Sequence, residues 1–171
     1  MASQVLYYIK VVVVGDGCVG KTSFLNGFEE KYVPTMGVEP SVCYFKTNKG
    51  LVGFNIYDEG GRFKNPEDVR DKYWEKAQIF IVMFDITSYS SFECAISLMT
   101  TIREKNPNVP IILCANKVDS QEREVTSGDV VAKCIEFSDY IELSSKSEFN
   151  LKKPFLKAIR IILGDDTYLV Q

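Results

Sequence analysis

The chain has 171 residues, of which 46% are hydrophobic and 25% are charged, and its formal net charge is -3. This length and composition suit one folded domain with a substantial core and exclude a disordered chain. The weak negative charge gives no general attraction for nucleic acids or anionic membranes, so we expect neither as a partner.

The chain contains five cysteines and no histidine. The cysteine count is odd and no CxxC occurs, so neither a disulfide framework nor a zinc site is predicted. Cys114 lies in the apolar run PIILCA, where we expect a small buried hydrophobe. We predict a reduced intracellular setting, in the cytoplasm, the nucleus or both. The ending TYLVQ has no cysteine for prenylation, and Met1-Ala2 does not suit myristoylation, so we expect no membrane anchor.

Apolar runs that predict strands alternate with segments of helical periodicity. The predicted strands cover residues 5–14, 41–46, 51–57, 78–86, 110–115 and 140–143. The first is apolar enough to be buried on both faces, and the next two flank the turn Asn48-Lys49-Gly50 as a hairpin. The predicted helices are a short one ending at Gly27 and four others, over 66–75, 90–105, 125–137 and 149–163. This alternation predicts an α/β fold with a mainly parallel sheet, in one domain spanning residues 1–171.

The strongest motif is Gly15-Asp-Gly-Cys-Val-Gly-Lys-Thr22, which matches GxxxxGK[ST] between a predicted strand and a predicted helix. Glycines let backbone N–H groups turn toward phosphate oxygens, and the helix N-terminus adds partial positive charge. We expect Lys21 to meet the β- and γ-phosphates and the Thr22 hydroxyl to ligate Mg²⁺. A thiol at Cys18 can be activated beside Lys21, but an inert side chain that points outward is expected. The predicted nucleotide-binding residues of this phosphate loop are Gly15, Asp16, Gly17, Cys18, Val19, Gly20, Lys21, Thr22 and Ser23.

A second motif, Asn116-Lys117-Val118-Asp119, indicates which base is bound. The Asp119 carboxylate can accept hydrogen bonds from N1–H and the 2-amino group of guanine, whereas adenine would leave this carboxylate unpaired. The Lys117 stem can lie against the face of the base. In Ser144-Ser145-Lys146, a backbone N–H could meet the guanine O6. Phe28 could pack on the edge of the base or belong to the core. These segments predict a guanine nucleotide as ligand.

An acid and a glycine after the third predicted strand complete the expected phosphate side of the site. Asp58 ends the run GFNIYD, where it can hold Mg²⁺ through water, and the Gly61 N–H can meet a γ-phosphate. Thr35, which follows a proline in a loop, could supply a further ligand. The predicted metal ligands are therefore Thr22, Thr35 and Asp58.

Together these residues make the chain resemble the Ras superfamily of small GTPases over its whole length. Within it, the chain is most similar to the Ran subfamily, in the stretches KYVPTMGVE, YFKTNKG, IVMFDITS, ILCANKVD and KPFLKAIRIILGD, whereas residues 122–126 look more like Rab proteins. The resemblance implies a P-loop NTPase fold of six strands, including one antiparallel edge strand, flanked by five helices. It also implies a monomer that cycles between GDP and GTP states with Mg²⁺.

The resemblance further implies two nucleotide-sensitive loops, one around Thr35 and one over residues 59–68, that order on GTP. Through these loops we expect contacts with effector, exchange-factor and activating proteins. A Ran-like chain would also meet nuclear transport receptors. However, the segment 137–140 is shorter than the basic stretch of Ran and carries no positive charge, which puts those receptors in question.

The expected catalytic residues include one that departs from the family pattern DTAGQ. Arg62 stands in place of the water-orienting glutamine, and a guanidinium has no acceptor for a water proton. We therefore expect slow hydrolysis of GTP. Glu59 replaces the threonine of the pattern, and its carboxylate faces phosphate charge unless it turns to solvent or to Arg62. This carboxylate could weaken GTP binding relative to GDP binding. The segment before Thr35 is shorter than in the family, so the reach of Thr35 to Mg²⁺ is an open question. The full predicted catalytic set is Lys21, Thr35, Gly61 and Arg62.

Two functional hypotheses stay open on this basis. The first is a GTPase switch with weak intrinsic hydrolysis. The second is a nucleotide-binding interaction module with little or no turnover, which Glu59 and Arg62 favour. A third class, the P-loop nucleoside or adenylate kinases, would need arginine-rich lid and substrate segments and would not need residues 116–119, so it is disfavoured.

Overall fold

A computed structural model describes residues 5–28, 41–59, 67–133 and 136–170, with the backbone alone for 67–69. Its strands are β1 (Val5–Gly15), β2 (Ser41–Thr47), β3 (Gly50–Asp58), β4 (Ile79–Asp85), β5 (Ile111–Asn116) and β6 (Asp139–Glu142). They form a six-stranded sheet in the order β2-β3-β1-β4-β5-β6. The edge strand β2 is antiparallel to β3, and the other neighbours pair in parallel. The predicted α/β fold, with its antiparallel edge strand, is confirmed.

The described residues also form five helices, as predicted: α1 (Lys21–Asn26), α2 (Glu67–Trp74), α3 (Tyr89–Lys105), α4 (Ser127–Lys133) and α5 (Lys153–Leu163). α3 begins after Ser88, whose side chain accepts a hydrogen bond from the Ser91 N–H and satisfies a free donor of the first turn. α1 ends at Asn26 and is capped by Gly27, the residue at which the sequence predicted its end. Among the helices in the described part of the chain, none has the length and apolarity to cross a membrane. The prediction of a single domain stays a prediction.

The predicted boundaries of two helices were wrong. α5 begins at Lys153 rather than at residue 149, because Glu148 and Asn150 both adopt φ 60, a left-handed conformation that a helix cannot contain. Pro154 then occupies the first turn, where its missing N–H costs nothing. α4 starts at Ser127 and extends to Lys133, and Phe137, the predicted end, is not helical.

The sheet separates two hydrophobic clusters, because successive side chains of a strand point to opposite faces. On one face, Val13 packs in a cluster with Phe24 of α1 and Phe155 of α5. On the other face, Val12 packs in a cluster with Phe92 of α3.

Burial along β1 is confined to its second part. The prediction that the whole strand is buried was wrong, because β1 extends past these clusters and its early side chains Leu6, Tyr7 and Tyr8 are exposed.

The C-terminal segment continues along the edge of β2. Thr47 forms an antiparallel bridge with Leu169. The Asn48 N–H donates to the Tyr168 carbonyl at 3.1 Å, and the Val170 N–H donates to the Lys46 carbonyl at 3.0 Å. The segment after α5 is therefore held to the β2–β3 hairpin by backbone hydrogen bonds.

The carboxyl ends of four parallel strands meet at one edge of the sheet. The phosphate loop follows β1, and Asp58, Asp85 and Asn116 are the last residues of β3, β4 and β5. Asp85 stands opposite Asn116 in the register of β4 and β5, and Val13 of β1 stands opposite Asp58. Ligands of open α/β sheets bind at this edge. The fold therefore brings the phosphate loop, Asp58 and Asn116 to one edge of the sheet.

Candidate functional site

The phosphate loop closes around the Lys21 ammonium. Lys21 Nζ donates to the carbonyls of Gly15 at 2.8 Å and Asp16 at 2.7 Å, and the residue is only 6% exposed. Burial lowers the pKa of Lys21, while the Asp58 carboxylate acts in the opposite direction. A partly desolvated cation at the start of α1 is a strong attractor for an anionic ligand.

The residues around Lys21 lead the chain from the loop into α1. Gly17 N–H donates to the Asp16 carboxylate at 2.7 Å. Cys18 adopts φ 64 and is exposed, so its thiol points outward as expected. Thr22 and Ser23 lie in the first turn of α1 with exposed side chains. Val19, in contrast, is buried and anchors the loop in the core.

Asn116 connects the phosphate loop to both base-side segments. Its Nδ2 donates to the Val19 carbonyl at 2.9 Å. Its Oδ1 accepts from the backbone N–H groups of Lys117 at 2.8 Å and Ser145 at 3.0 Å. The side chain is 1% exposed, so each polar atom of the amide has a protein partner in place of water. Three segments distant in sequence thus share one buried amide.

Lys117 is held by a charge that sequence analysis did not identify. Its Nζ lies 2.5 Å from Asp85 Oδ2 and donates to the Cys18 carbonyl at 3.1 Å. Asp85 also accepts from the Thr87 N–H at 2.8 Å and the Thr87 hydroxyl at 2.7 Å. Burial raises the pKa of Asp85, but the hydrogen bonds from Lys117 and Thr87 outweigh it and lower the pKa. The position of Asp85 at the end of β4, next to β5, was the available clue.

The Asp119 carboxylate faces the cleft and is oriented by Ser144. Ser144 Oγ donates to Asp119 Oδ1 at 2.6 Å and accepts from the Ser147 N–H at 3.0 Å. The hydrogen bond from Ser144 lowers the pKa of Asp119, which favours the ionised form that can accept from a base.

In the turn after β6, several backbone donors already have protein acceptors. The N–H groups of Ser144 and Ser145 donate to the Phe149 carbonyl and to Asn116 Oδ1. The Lys146 N–H has no acceptor among the described residues. It is therefore a donor of this turn that is free to meet a base carbonyl.

An open cleft of about 640 Å³ lies between the phosphate loop and the base-side segments. A cavity of this size suits a nucleotide-sized ligand. Its lining combines the phosphate loop, the base-side segments and the turn after β4: Gly20, Ser23, Thr87, Asn116, Lys117, Asp119, Ser120, Glu122, Ser145 and Lys146. Thr87, Ser120 and Glu122 were not predicted as site residues.

The phosphate side of the site offers hard oxygen donors. Asp58 is solvent-accessible at the end of β3, but the surrounding protein partly desolvates its carboxyl group. This desolvation raises the pKa of Asp58, while the charge of Lys21 acts to lower it. The Thr22 hydroxyl is exposed on α1. One hydroxyl and one carboxylate suit Mg²⁺, which keeps several waters and takes its other ligands from phosphates. In the described ranges there is no cluster of three acidic, cysteine or histidine residues that would form a separate metal site. Thr35, Gly61 and Arg62 lie outside the described residues.

Glu59 takes a partner that the sequence did not suggest. Trp74 Nε1 donates to Glu59 Oε2 at 2.9 Å, so the carboxylate turns toward α2 instead of solvent. Arg62, the other expected partner, is among the residues that the structure does not describe. Burial raises the pKa of Glu59, and the hydrogen bond from Trp74 and the charges of Arg70 and Lys21 act to lower it.

Phe28 packs as a core residue. Its ring centroid lies 4.9 Å from that of Phe155, 5.8 Å from Phe45 and 5.9 Å from Phe24, all in edge-to-face geometry. These contacts favour the core alternative. A contact of Phe28 with the base stays a prediction.

The sequence model of the Ras family matches residues 10–164. The chain belongs to the Ras family. The match includes the phosphate loop, residues 116–119 and residues 144–146, so the three segments that meet at Asn116 all lie within the family domain. Ras-family proteins are small GTP-binding switches that bind GTP or GDP with Mg²⁺ and act through regulator and effector proteins. The Ras-superfamily part of the resemblance is therefore confirmed, and the kinase alternative is set aside.

Proposed function

We propose that this Ras-family chain is a guanine-nucleotide switch in which residues 15–23 hold the phosphates and Asp119 selects the base. The observation that carries the proposal is the double connection made by Asn116, which donates to Val19 in the phosphate loop and accepts from Ser145 beside the base pocket. A ligand that spans the cleft would meet both segments at once, as a nucleotide does.

Base selection rests on the geometry of Asp119. One carboxylate oxygen is held by Ser144, and the side chain faces the cleft, where it can accept from the N1–H and 2-amino groups of guanine. Lys117 flanks the same cleft, and its stem can cover the face of the base. The Lys146 N–H can donate to the guanine O6.

The experiment for base selection is competition of GDP, XDP and ATP against fluorescently labelled GDP, with the wild type and Asp119→Asn. Wild type should prefer GDP strongly over XDP and ATP. In the variant, preference should shift to XDP, because the C2 carbonyl of xanthine accepts from the new amide. Unchanged GDP affinity in Asp119→Asn, or strong ATP competition in the wild type, would contradict the proposal.

On the phosphate side, Thr22 and Asp58 would hold Mg²⁺, with Thr35 as a further proposed ligand. The ion, when bound, would neutralise charge on the β- and γ-phosphates. Lys21 contributes a buried positive charge, and the Gly61 N–H is proposed to meet the γ-phosphate. Arg62, in place of a glutamine, cannot accept a proton from water, so we propose weak intrinsic hydrolysis.

A nucleotide-binding module without turnover is the second candidate, and the carboxylate at position 59, hydrogen-bonded to Trp74, favours it. Single-turnover hydrolysis of preloaded GTP separates the two candidates. A rate typical of Ras-family proteins would reject the module. Undetectable turnover, even with cell extract added as a source of activating proteins, would reject the GTPase.

We further propose a Ran-like switch that acts in nucleocytoplasmic transport, located in the cytoplasm, the nucleus or both, on the basis of the matching stretches KYVPTMGVE and ILCANKVD. Its effectors and regulators would bind near Thr35 and over residues 59–68. The segment 137–140 lacks positive charge, so receptors that read the basic stretch of Ran should bind weakly. Binding of the GTP-loaded chain to an importin-type receptor tests this role, and no binding at micromolar concentrations would reject it.

A further inference from the structure

The backbone of Glu59 is fixed beside the phosphate loop. The residue follows Asp58 at the end of β3, and its N–H donates to the Val13 carbonyl of β1 at 3.1 Å. Two residues beyond Val13, the chain enters the loop that contains Lys21. The main chain at position 59 is therefore tied to the strand that carries the phosphate loop.

The side chain of Glu59 is fixed by a donor that is itself immobile. Trp74 is 1% exposed, and its ring packs edge-to-face on Phe80 with centroids 5.2 Å apart. The guanidinium of Arg70 lies 5.1 Å from the centroid of the Trp74 ring. A buried indole with one N–H aimed at Glu59 Oε2, 2.9 Å away, leaves the carboxylate little freedom to rotate.

The position of this fixed carboxylate is on the phosphate side of the site. Glu59 directly follows Asp58 at the end of β3, and its N–H is hydrogen-bonded to the strand that leads into the loop of Lys21. A nucleoside triphosphate carries about one more unit of negative charge than a diphosphate, on the phosphate farthest from the base. A carboxylate near Lys21 repels both forms, but it repels the triphosphate more.

We propose that Glu59, held in place by Trp74, is a specificity-determining residue that biases the nucleotide site toward the diphosphate. This inference rests on the proposed guanine-nucleotide function and adds to it a preference between the two forms of the ligand. The device has two separable parts, a charge at position 59 and a hydrogen bond that fixes its position.

The first experiment removes the charge and keeps the hydrogen bond. Glu59→Gln retains an acceptor oxygen for Trp74 Nε1. Equilibrium dissociation constants are measured for GDP and for a non-hydrolysable GTP analogue, with Mg²⁺ present. The ratio of the constant for the analogue to that for GDP should fall about fivefold, as expected for a partly screened charge near the site. Asp71→Asn is the matched control, because it removes a carboxylate from α2 that pairs with Lys105, and it should leave the ratio unchanged.

The second experiment removes the hydrogen bond and keeps the charge. In Trp74→Phe, Glu59 can rotate toward solvent, so the ratio should fall, but less than in Glu59→Gln. In the double variant, Trp74→Phe should add nothing further, because no charge is left to position. An equal effect of Trp74→Phe in both backgrounds would mean that the indole acts through packing alone, and the positioning role would be overturned.

The outcomes separate this inference from the function on which it rests. If the wild type binds neither nucleotide, the proposed function fails and the inference fails with it. If the wild type binds both nucleotides and Glu59→Gln leaves the ratio unchanged, the switch function stands and the discrimination by Glu59 is wrong.

Discussion

A Cβ atom placed on Gly20 would lie 2.3 Å from Asn116 Nδ2. Gly20 also adopts φ 97, a conformation that other residues rarely take. Asn116 cannot retreat, because it is buried and hydrogen-bonded on both sides of its amide. The glycine at position 20 is therefore required by the base-side segment as well as by the turn of the phosphate loop.

Gly20→Ala should weaken nucleotide binding by displacing Asn116. The unfavourable φ alone costs about 1–3 kcal/mol, and the steric clash adds to it. We expect affinity for labelled GDP to fall by about tenfold or more, measured by fluorescence titration. Gly128→Ala on α4 is the control, because its nearest neighbour would be Thr126 Oγ1 at 3.5 Å. Equal GDP affinity in wild type and Gly20→Ala would contradict the steric argument.

Ser144→Ala should weaken GDP binding without changing the preferred base. The substitution removes the hydroxyl that orients Asp119 at 2.6 Å but leaves the carboxylate in place. We expect the dissociation constant for GDP to rise about fivefold, which is close to the value of one hydrogen bond. Ser97→Ala removes a hydroxyl from the exposed face of α3 and should have no effect on binding. A change of preference from GDP to XDP in Ser144→Ala would show that Asp119 does not select the base alone.

Asp85 should contribute stability that disappears in acid. Its pKa in the folded chain is lowered, so its contribution is present above the unfolded pKa of about 3.9 and is lost as pH falls through the folded value. We expect Asp85→Asn to reduce the free energy of unfolding by about 1–2 kcal/mol at pH 7, after allowance for the partial exposure of Lys117. The difference from wild type, measured by urea unfolding, should shrink below about pH 4.

Glu142→Gln provides a comparison for Asp85. Glu142 pairs with Arg123 at 2.9 Å, but both side chains are about one-third exposed. Such pairs contribute about 0–1 kcal/mol. An effect of Asp85→Asn no larger than that of Glu142→Gln would indicate that burial does not strengthen the pair between Asp85 and Lys117.

Phe155→Ala should be severely destabilising. Its ring contacts those of Phe24, Phe28, Phe45 and Phe54, with centroid separations of 4.9 to 5.6 Å. Truncation of a buried phenylalanine costs about 3–5 kcal/mol. Phe155→Leu keeps most of the volume and should cost less than half as much. Urea unfolding measures both, and a loss below about 1 kcal/mol in Phe155→Ala would show that the cluster can collapse onto the cavity.

The sequence correctly predicted the elements and motifs that depend only on residues close together in the chain. β4 and β5 are continuous apolar runs, and the phosphate loop and residues 116–119 are short patterns with their own chemistry. The start of α5 was mispredicted because Leu151 continues the apolar stripe, although Asn150 before it leaves the helical region. Leu151 does reach the core, but from a turn.

Relationships across the sheet could not be predicted in this way. Asp85 pairs with Lys117 only because β4 and β5 align Asp85 with Asn116. The sequence of neither strand predicts that register. Similarly, Glu59 and Trp74 are separated by 15 positions. Trp74 fits the pattern of a helix. The partner of its indole N–H cannot be predicted from that pattern, because it depends on how α2 packs beside β3.

The antiparallel bridge between Thr47 and Leu169 has a consequence for how copies of the chain behave toward one another. An edge strand presents unpaired N–H and C=O groups that can template pairing with a neighbouring molecule. At the hairpin end of β2, the Lys46 carbonyl and the Asn48 N–H are already used by Val170 and Tyr168. A strand from another copy cannot start to add there while the C-terminal segment is in place. The last residues thus protect that end of the sheet against edge-to-edge aggregation.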